Sequence, residues 1–138
     1  MHPHVDVEAS VQLRLVVADA DAVPLPVSLR YCATDPYAVR AVFSGDGMEV
    51  EWVFARDLLR RGLSAPIGDG DVHVWPCLSS DGSAVVIIEL CSPDGELLVQ
   101  AGSRSVTRFV QGMLASVPDG QESTFVDFDD ELAQILSA

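Results

Sequence analysis

The chain contains no lysine. All 8 of its basic residues are arginine, against 21 acidic ones, so the net charge is −13 over 138 residues. That balance disfavours phosphate-bearing partners, because nucleic-acid binding relies on a positive surface that releases counterions. No basic run interrupts the deficit. No apolar run approaches the roughly 20 residues that a membrane helix needs, so insertion into a bilayer is not expected. The first residues, MHPHVDVEAS, lack the basic segment and apolar core of a signal peptide. The expected location is the cytoplasm.

Cysteine and histidine are equally sparse, with three of each. Cys32, Cys77 and Cys91 form no CxxC pair, so neither a zinc ribbon nor a redox motif is indicated. In apolar, strand-like surroundings they are expected to be reduced, buried thiols that pack as small hydrophobes. His2 and His4 lie near the start, and His73 sits between Val72 and Val74 on a strand, where it is expected to face solvent or a satisfied pocket. No HxxxH spacing occurs, and neither a Gly-x-Ser-x-Gly elbow, a GxGxxG fingerprint nor a Walker loop is found. No cofactor, metal or catalytic activity is expected.

What the chain does have is apolar content and turn signals. Hydrophobic residues make up 49% and charged residues 21%, the profile of a globular chain, and one domain over residues 1–138 is expected. Asp46-Gly47, Asp81-Gly82 and Asp94-Gly95 sit between apolar-periodic flanks, and Asp-Gly favours the positive φ of tight hairpins. The spacing predicts strands over 37–44, 48–54, 71–78, 83–92 and 96–101, preceded by strands over 5–17 and 23–33. Pro24 and Pro26 confine the start of the latter to an edge or a sheet entrance.

Three helices are predicted. One starts at Ala55 and ends near Gly62. A second carries the stripe Val106, Phe109, Val110, Met113, Leu114 and Val117, with Ser103 or Ser105 as its cap. A third spans DFDDELAQIL behind Asp127. The ββββα–βββαα order is not βαβ alternation, so it implies an α+β fold with antiparallel sheets. MEVEWVFARDLLRRGL and GELLVQAGSRSVTRFV both run from an Asp-Gly turn through a strand into a helix, which suggests two similar halves.

The segment VEWVFARDLL concentrates charge beside aromatics. Glu51, Arg56 and Asp57 make an acid/base cluster conceivable, but an acid in a first helical turn is favourable without catalysis. An ion-paired or partner-facing surface is the better reading, and Tyr37, Glu51, Arg56, Asp57 and Arg60 are the candidate partner contacts. The aromatics Tyr31, Tyr37, Phe43, Trp52, Phe54, Trp75, Phe109, Phe125 and Phe128 invite comparison with stacking platforms for single-stranded nucleic acid. Without a cationic groove, a core role is favoured, and nucleic-acid binding stands as the alternative function.

LRYCATDPYAVRAVF, VEWVFARDLLRRGL and GDVHVWP, followed by SPDGELL, VPDGQEST and DFDDELAQIL, resemble the SsgA-like family of actinobacterial sporulation and cell-division regulators, nearest to its SsgB-type branch. The lysine-free composition agrees with a GC-rich source. The resemblance matches Tyr31, Asp35, Pro36, Tyr37, Trp52, Phe54, Arg56, Asp57, Trp75 and Pro76, without assigning contact roles to them. It implies a non-enzymatic regulator at the division septum that recruits the division GTPase FtsZ and acts with other SsgA-like proteins. It also implies a Whirly-like fold of two antiparallel sheets with helices, assembled as a homo-trimer. The long strands 5–17 and 23–33 are expected to present the edges that such an assembly closes.

Overall fold

At the Asp-Gly sites, Gly47, Gly82 and Gly95 take φ of 75, 85 and 147°, and the chain reverses at each. The hairpins on either side follow the expected alternation. The computed structural model describes residues 5–16, 23–45, 47–93 and 95–125. Among these it has strands β1 (Val7–Leu15), β2 (Val23–Tyr31), β3 (Ala38–Gly45) and β4 (Met48–Ala55), then helix α1 (Arg56–Gly62). After α1 come β5 (Ile67–Asp69), β6 (Val72–Leu78), β7 (Ala84–Ser92), β8 (Gly95–Gly102), helix α2 (Ser103–Ser116) and a 3-10 turn at Glu122–Phe125. The α+β reading holds, as does the succession of two strand-rich halves that each feed a helix. The third predicted helix lies outside the described residues.

The expectation of two sheets is corrected. All eight strands belong to one antiparallel sheet, in the order β4-β3-β2-β1-β8-β7-β6-β5. Each half is a four-stranded meander built from local hairpins. Among the described residues the halves join along a narrow seam, where Arg14 with Gln100 and Leu15 with Val99 are in register and the Val16 N–H donates to the Leu98 carbonyl. No local turn signal announces a pairing between the first strand and the last. β5 also escaped prediction, because its three residues, Ile67–Asp69, are too few to show a period.

The edges are not where the sequence placed them. β1 and β2 lie inside the sheet, and the edge strands are β4 and β5. Pro24 and Pro26 are nonetheless accommodated, as a sheet entrance would allow. The β2–β3 ladder starts only at Val27, so no ladder bond to β3 is lost to either proline. β5 is short and packs beside α1. The longer β4 edge carries Glu49 and Glu51 but also exposes Met48, Val50 and Val53.

One core fills the inner face of the sheet. Val11 and Leu13 of β1, Val27 and Leu29 of β2, Val39 and Ala41 of β3, and Val86, Ile88 and Leu90 of β7 enclose Val106, Phe109 and Met113 of α2. These positions are the apolar members of period-2 strands and of one helical stripe. α2 has no serine cap. Gly102 precedes it in an extended conformation, and no side chain bonds its first turn, because β8 runs straight into the helix.

The thiols are free, but the expectation that all are buried is corrected: Cys77 is exposed, and Cys32 and Cys91 are half-buried. Cys77 alternates with the buried Val72 and Val74, and Cys91 with Ile88 and Leu90. Both thiols therefore lie on the face turned away from the core. Among the aromatics, Tyr31, Phe43, Phe54 and Phe109 are buried, which removes them from any stacking platform. No helix among the described residues is long and apolar enough to cross a membrane.

α1 packs against β6 through Gly62. A Cβ added there would lie 2.2 Å from Val74 Cγ1 and 2.6 Å from its Cβ. Gly62→Ala should therefore destabilise the protein by about 1–3 kcal/mol in urea unfolding, although alanine is the better helix former by about 1 kcal/mol. Combining it with Val74→Ala should recover part of that loss. Equal or higher stability in the single variant would show that the contact is not tight.

Candidate interaction surface

The strand β4 passes directly into α1 at Ala55, whose extended backbone (φ −64°, ψ 135°) offers no side-chain cap. The Arg56 N–H instead donates to the Tyr37 carbonyl at 2.8 Å. Arg56, Leu59 and Leu63 recur at helical spacing, so the arginine shares a face with residues that seek the core.

Its side chain is correspondingly only 2% exposed. Nη1 donates to the Tyr31 hydroxyl at 3.1 Å and to the Val117 carbonyl at 2.8 Å, and Nη2 donates to Glu122 Oε1 at 2.7 Å. The Tyr31 hydroxyl in turn donates to the Pro36 carbonyl at 2.8 Å. The guanidinium also lies 5.6 Å from the Tyr31 ring centre. One cation thus joins β2, the start of α1, the end of α2 and the 3-10 turn. The Val117 carbonyl lies at the end of α2, where helical carbonyls lack intrahelical partners and the dipole is negative. Arg56 Nε is the one buried side-chain polar atom without a partner among the described residues.

The electrostatics agree with a bound, ionised pair. The Glu122 backbone N–H, and then the Arg56 guanidinium, hold the Glu122 carboxyl below its ordinary range against the opposing effect of burial. Burial pushes the Tyr31 hydroxyl up, and Arg56 opposes that shift.

The expectation that Arg56 faces a partner is therefore corrected: it is enclosed, and its charge is spent inside the molecule. The other candidates do lie outside or partly so, but not as one cluster. Glu51 pairs with Arg40 at 2.8 Å, and Arg40 also reaches Asp35 at 3.1 Å. Asp57 pairs with Arg60 at 3.2 Å, and Arg60 lies 3.7 Å from Asp119. Tyr37 is 53% exposed and borders α1 through its carbonyl. Glu51, Arg56 and Asp57 each answer to a different partner, so the segment holds no acid/base cluster. Exposed pairs of this kind add at most about 1 kcal/mol each.

The sequence reading missed Tyr31, Val117 and Glu122 as partners of Arg56. The stripe spacing of Arg56 with Leu59 was the available signal that the arginine points inward. Its partners, 25, 61 and 66 residues away, leave no local trace.

A family model described as Streptomyces sporulation and cell division protein, SsgA, matches residues 25–122. The sporulation-specific cell division protein SsgB of Kineococcus radiotolerans is 47% identical over 99% of this chain and 83% of its own length. The SsgB protein of Streptomyces coelicolor is 48% identical over 95% of this chain and 96% of its own. Among solved structures, an SsgA-like sporulation-specific cell division protein from Thermobifida fusca superposes with a TM-score of 0.83 at 40% identity, covering 93% of each chain. A structure from work on SsgB mutations and longitudinal cell division in Streptomyces coelicolor superposes with a TM-score of 0.82 at 48% identity, covering 86% of this chain and 94% of that one.

Removing one member of the buried pair should be costly. Arg56→Met leaves Glu122 without its counter-ion and should lose about 3–5 kcal/mol in urea unfolding. Arg56→Met with Glu122→Leu should be markedly more stable than Arg56→Met alone; equal instability would mean that the pair is not the critical element.

A pH titration gives the second test. A depressed folded-state pKa adds stability above the unfolded carboxyl value of about 4.3, and that stability is lost as pH falls through the folded value. The wild type should therefore lose its advantage over Glu122→Gln as pH drops from 7 through that range. A pH-independent difference would contradict the assignment.

Proposed function

The chain belongs to the SsgA family of sporulation and cell division proteins, on its SsgB-type branch, and from that premise we propose that it regulates cell division during sporulation by placing the septum and recruiting FtsZ. The observation that carries this reading is the nearly end-to-end likeness to SsgB proteins. The geometry suits a binding protein rather than an enzyme. The joint is held from within by Arg56 and Glu122, and its exposed residues include Tyr37 and the separate Asp35–Arg40–Glu51 and Asp57–Arg60–Asp119 groups. Tyrosine in such a setting is a favoured anchor at protein interfaces. With a net charge of −13, the partner is a protein surface rather than nucleic acid.

In this reading the protein acts at the septum as a homo-trimer, together with other SsgA-like proteins, and its two strand-rich halves adopt a Whirly-like arrangement. The open β4 edge, with Met48, Val50 and Val53 exposed, is the part of the sheet that symmetric copies would cover.

Co-sedimentation with polymerised FtsZ, together with light scattering, tests the recruitment. The protein should pellet with the polymers, and Tyr37→Ala should weaken that binding by at least about fivefold, the equivalent of a ~1 kcal/mol interface contact, with unfolding unchanged. No co-sedimentation across salt conditions would overturn the recruitment reading. Static light scattering of the protein alone should give three times the chain mass; a monomer would remove the assembly.

A further inference from the structure

On the face of the sheet turned from the core, β6 and β7 bring together three residues of different chemistry. His73 and Glu89 are cross-strand partners, and Cys91 lies two residues beyond Glu89 on the same face. The His73 Nδ1 and Glu89 Oε1 are 3.3 Å apart. A ring nitrogen of His73, a carboxylate oxygen of Glu89 and the Cys91 sulfur all lie within 4.8 Å of one another. From this juxtaposition we propose that His73, Glu89 and Cys91 form a binding site for a divalent metal ion of the zinc class.

The donor chemistry selects the ion. Imidazole, carboxylate and thiolate together are a zinc set, whereas magnesium and calcium take oxygen ligands. The spacing suits it too. Zinc–ligand bonds of about 2.0–2.2 Å put neighbouring nitrogen and oxygen ligands of a tetrahedron about 3.4 Å apart, close to the His73–Glu89 separation. Three protein donors leave a fourth position for water or for a further carboxylate. Glu96 is the cross-strand partner of Cys91 on β8, and Asp71 accepts the Cys91 N–H through its carbonyl at 2.8 Å. Both place negative charge beside the site and favour a cation.

An independent feature points the same way. Gly68 of β5 stands opposite His73 in the sheet, and a Cβ there would lie 2.1 Å from His73 Cδ2 and 2.8 Å from Nε2. The backbone does not demand glycine here, since Gly68 is not among the positive-φ glycines. The missing side chain instead lets the imidazole lie across β5. The three donors sit on paired strands, β6 and β7, with seven residues in register, so their convergence needs no loop rearrangement.

The test uses the full-length, reduced protein titrated with Co2+ and Zn2+ chlorides in a non-chelating buffer. Co2+ should bind with one equivalent, give the visible absorption of tetrahedral cobalt and show a near-ultraviolet thiolate-to-metal charge-transfer band. Zn2+ should displace it and raise the thermal midpoint. Cys91→Ser should abolish the charge-transfer band, and His73→Gln should weaken binding by more than about tenfold, the lower end of what losing even an outer-shell partner costs. Cys77→Ser and Cys32→Ser should change neither. Gly68→Ala should weaken binding while all three donors are retained.

The proposal is overturned if no thiolate band develops. It is equally overturned if the band survives Cys91→Ser but disappears with Cys77→Ser or Cys32→Ser. Binding that Cys91→Ser and His73→Gln leave intact would belong to other donors, such as His2 and His4, and would also overturn it. Circular dichroism of each variant separates loss of ligand from loss of fold.

Discussion

A buried guanidinium must find partners to replace the water it has lost, and the Nη1 and Nη2 groups of Arg56 find them on three other elements. Tyr31 belongs to β2, Val117 to the end of α2 and Glu122 to the 3-10 turn, while Arg56 itself opens α1. A charge transferred out of water costs several kcal/mol unless paired and hydrogen-bonded. These elements can therefore sit only in the arrangement that serves it. Apolar contacts supply most of the cohesion of the core, but they are tolerant of small displacements. The arginine network is directional, and it specifies where the helix ends meet the sheet. The exposed residues of the β4–α1 joint inherit their positions from it: Tyr37 through its carbonyl to the Arg56 N–H, and Asp57 as the next residue of the helix.

The sheet divides the molecule into two chemistries. Its inner face holds the aliphatic core and α2, and its outer face carries polar side chains, the thiol of Cys77 and the His73–Glu89–Cys91 group. This division follows from period-2 alternation, since neighbouring residues of a strand must point to opposite faces. It also explains why a chain with 49% hydrophobic residues keeps most of its charge outside. The exceptions are instructive. Val85 and Ile87 are buried on the outer parity of β7, and Val42 on that of β3, so the alternation is not strict. Met48 and Val50 are exposed at the far end of β4, beyond the reach of the core.

Much of the architecture is legible in the sequence. The Asp-Gly turns, the strand alternation of β1–β4 and β6–β8, and the Val106–Val117 stripe all express short-range rules: positive φ at glycine, a period of two, a period of 3.6. So did the repetition of a strand-to-helix passage in each half. The resemblance carried by the Leu29–Phe43, Val50–Leu63 and Gly70–Pro76 segments agrees with the family to which the chain belongs.

What the sequence alone determined was therefore seven of the eight strands, helices α1 and α2, their polarity and the acidic, lysine-free composition, because each depends on residues close together in the chain. Tertiary structure decided the rest. Pairing of β1 with β8 merged two expected sheets into one, and it placed β4 at an edge in place of β1 and β2. Folding enclosed Arg56 with Glu122 and left Asp57 and Glu51 to separate exposed partners. Register set His73 beside Glu89 and Cys91 across a hairpin. Each outcome joins residues distant in sequence, and the free energy of such contacts depends on geometry that only the assembled sheet and helices create.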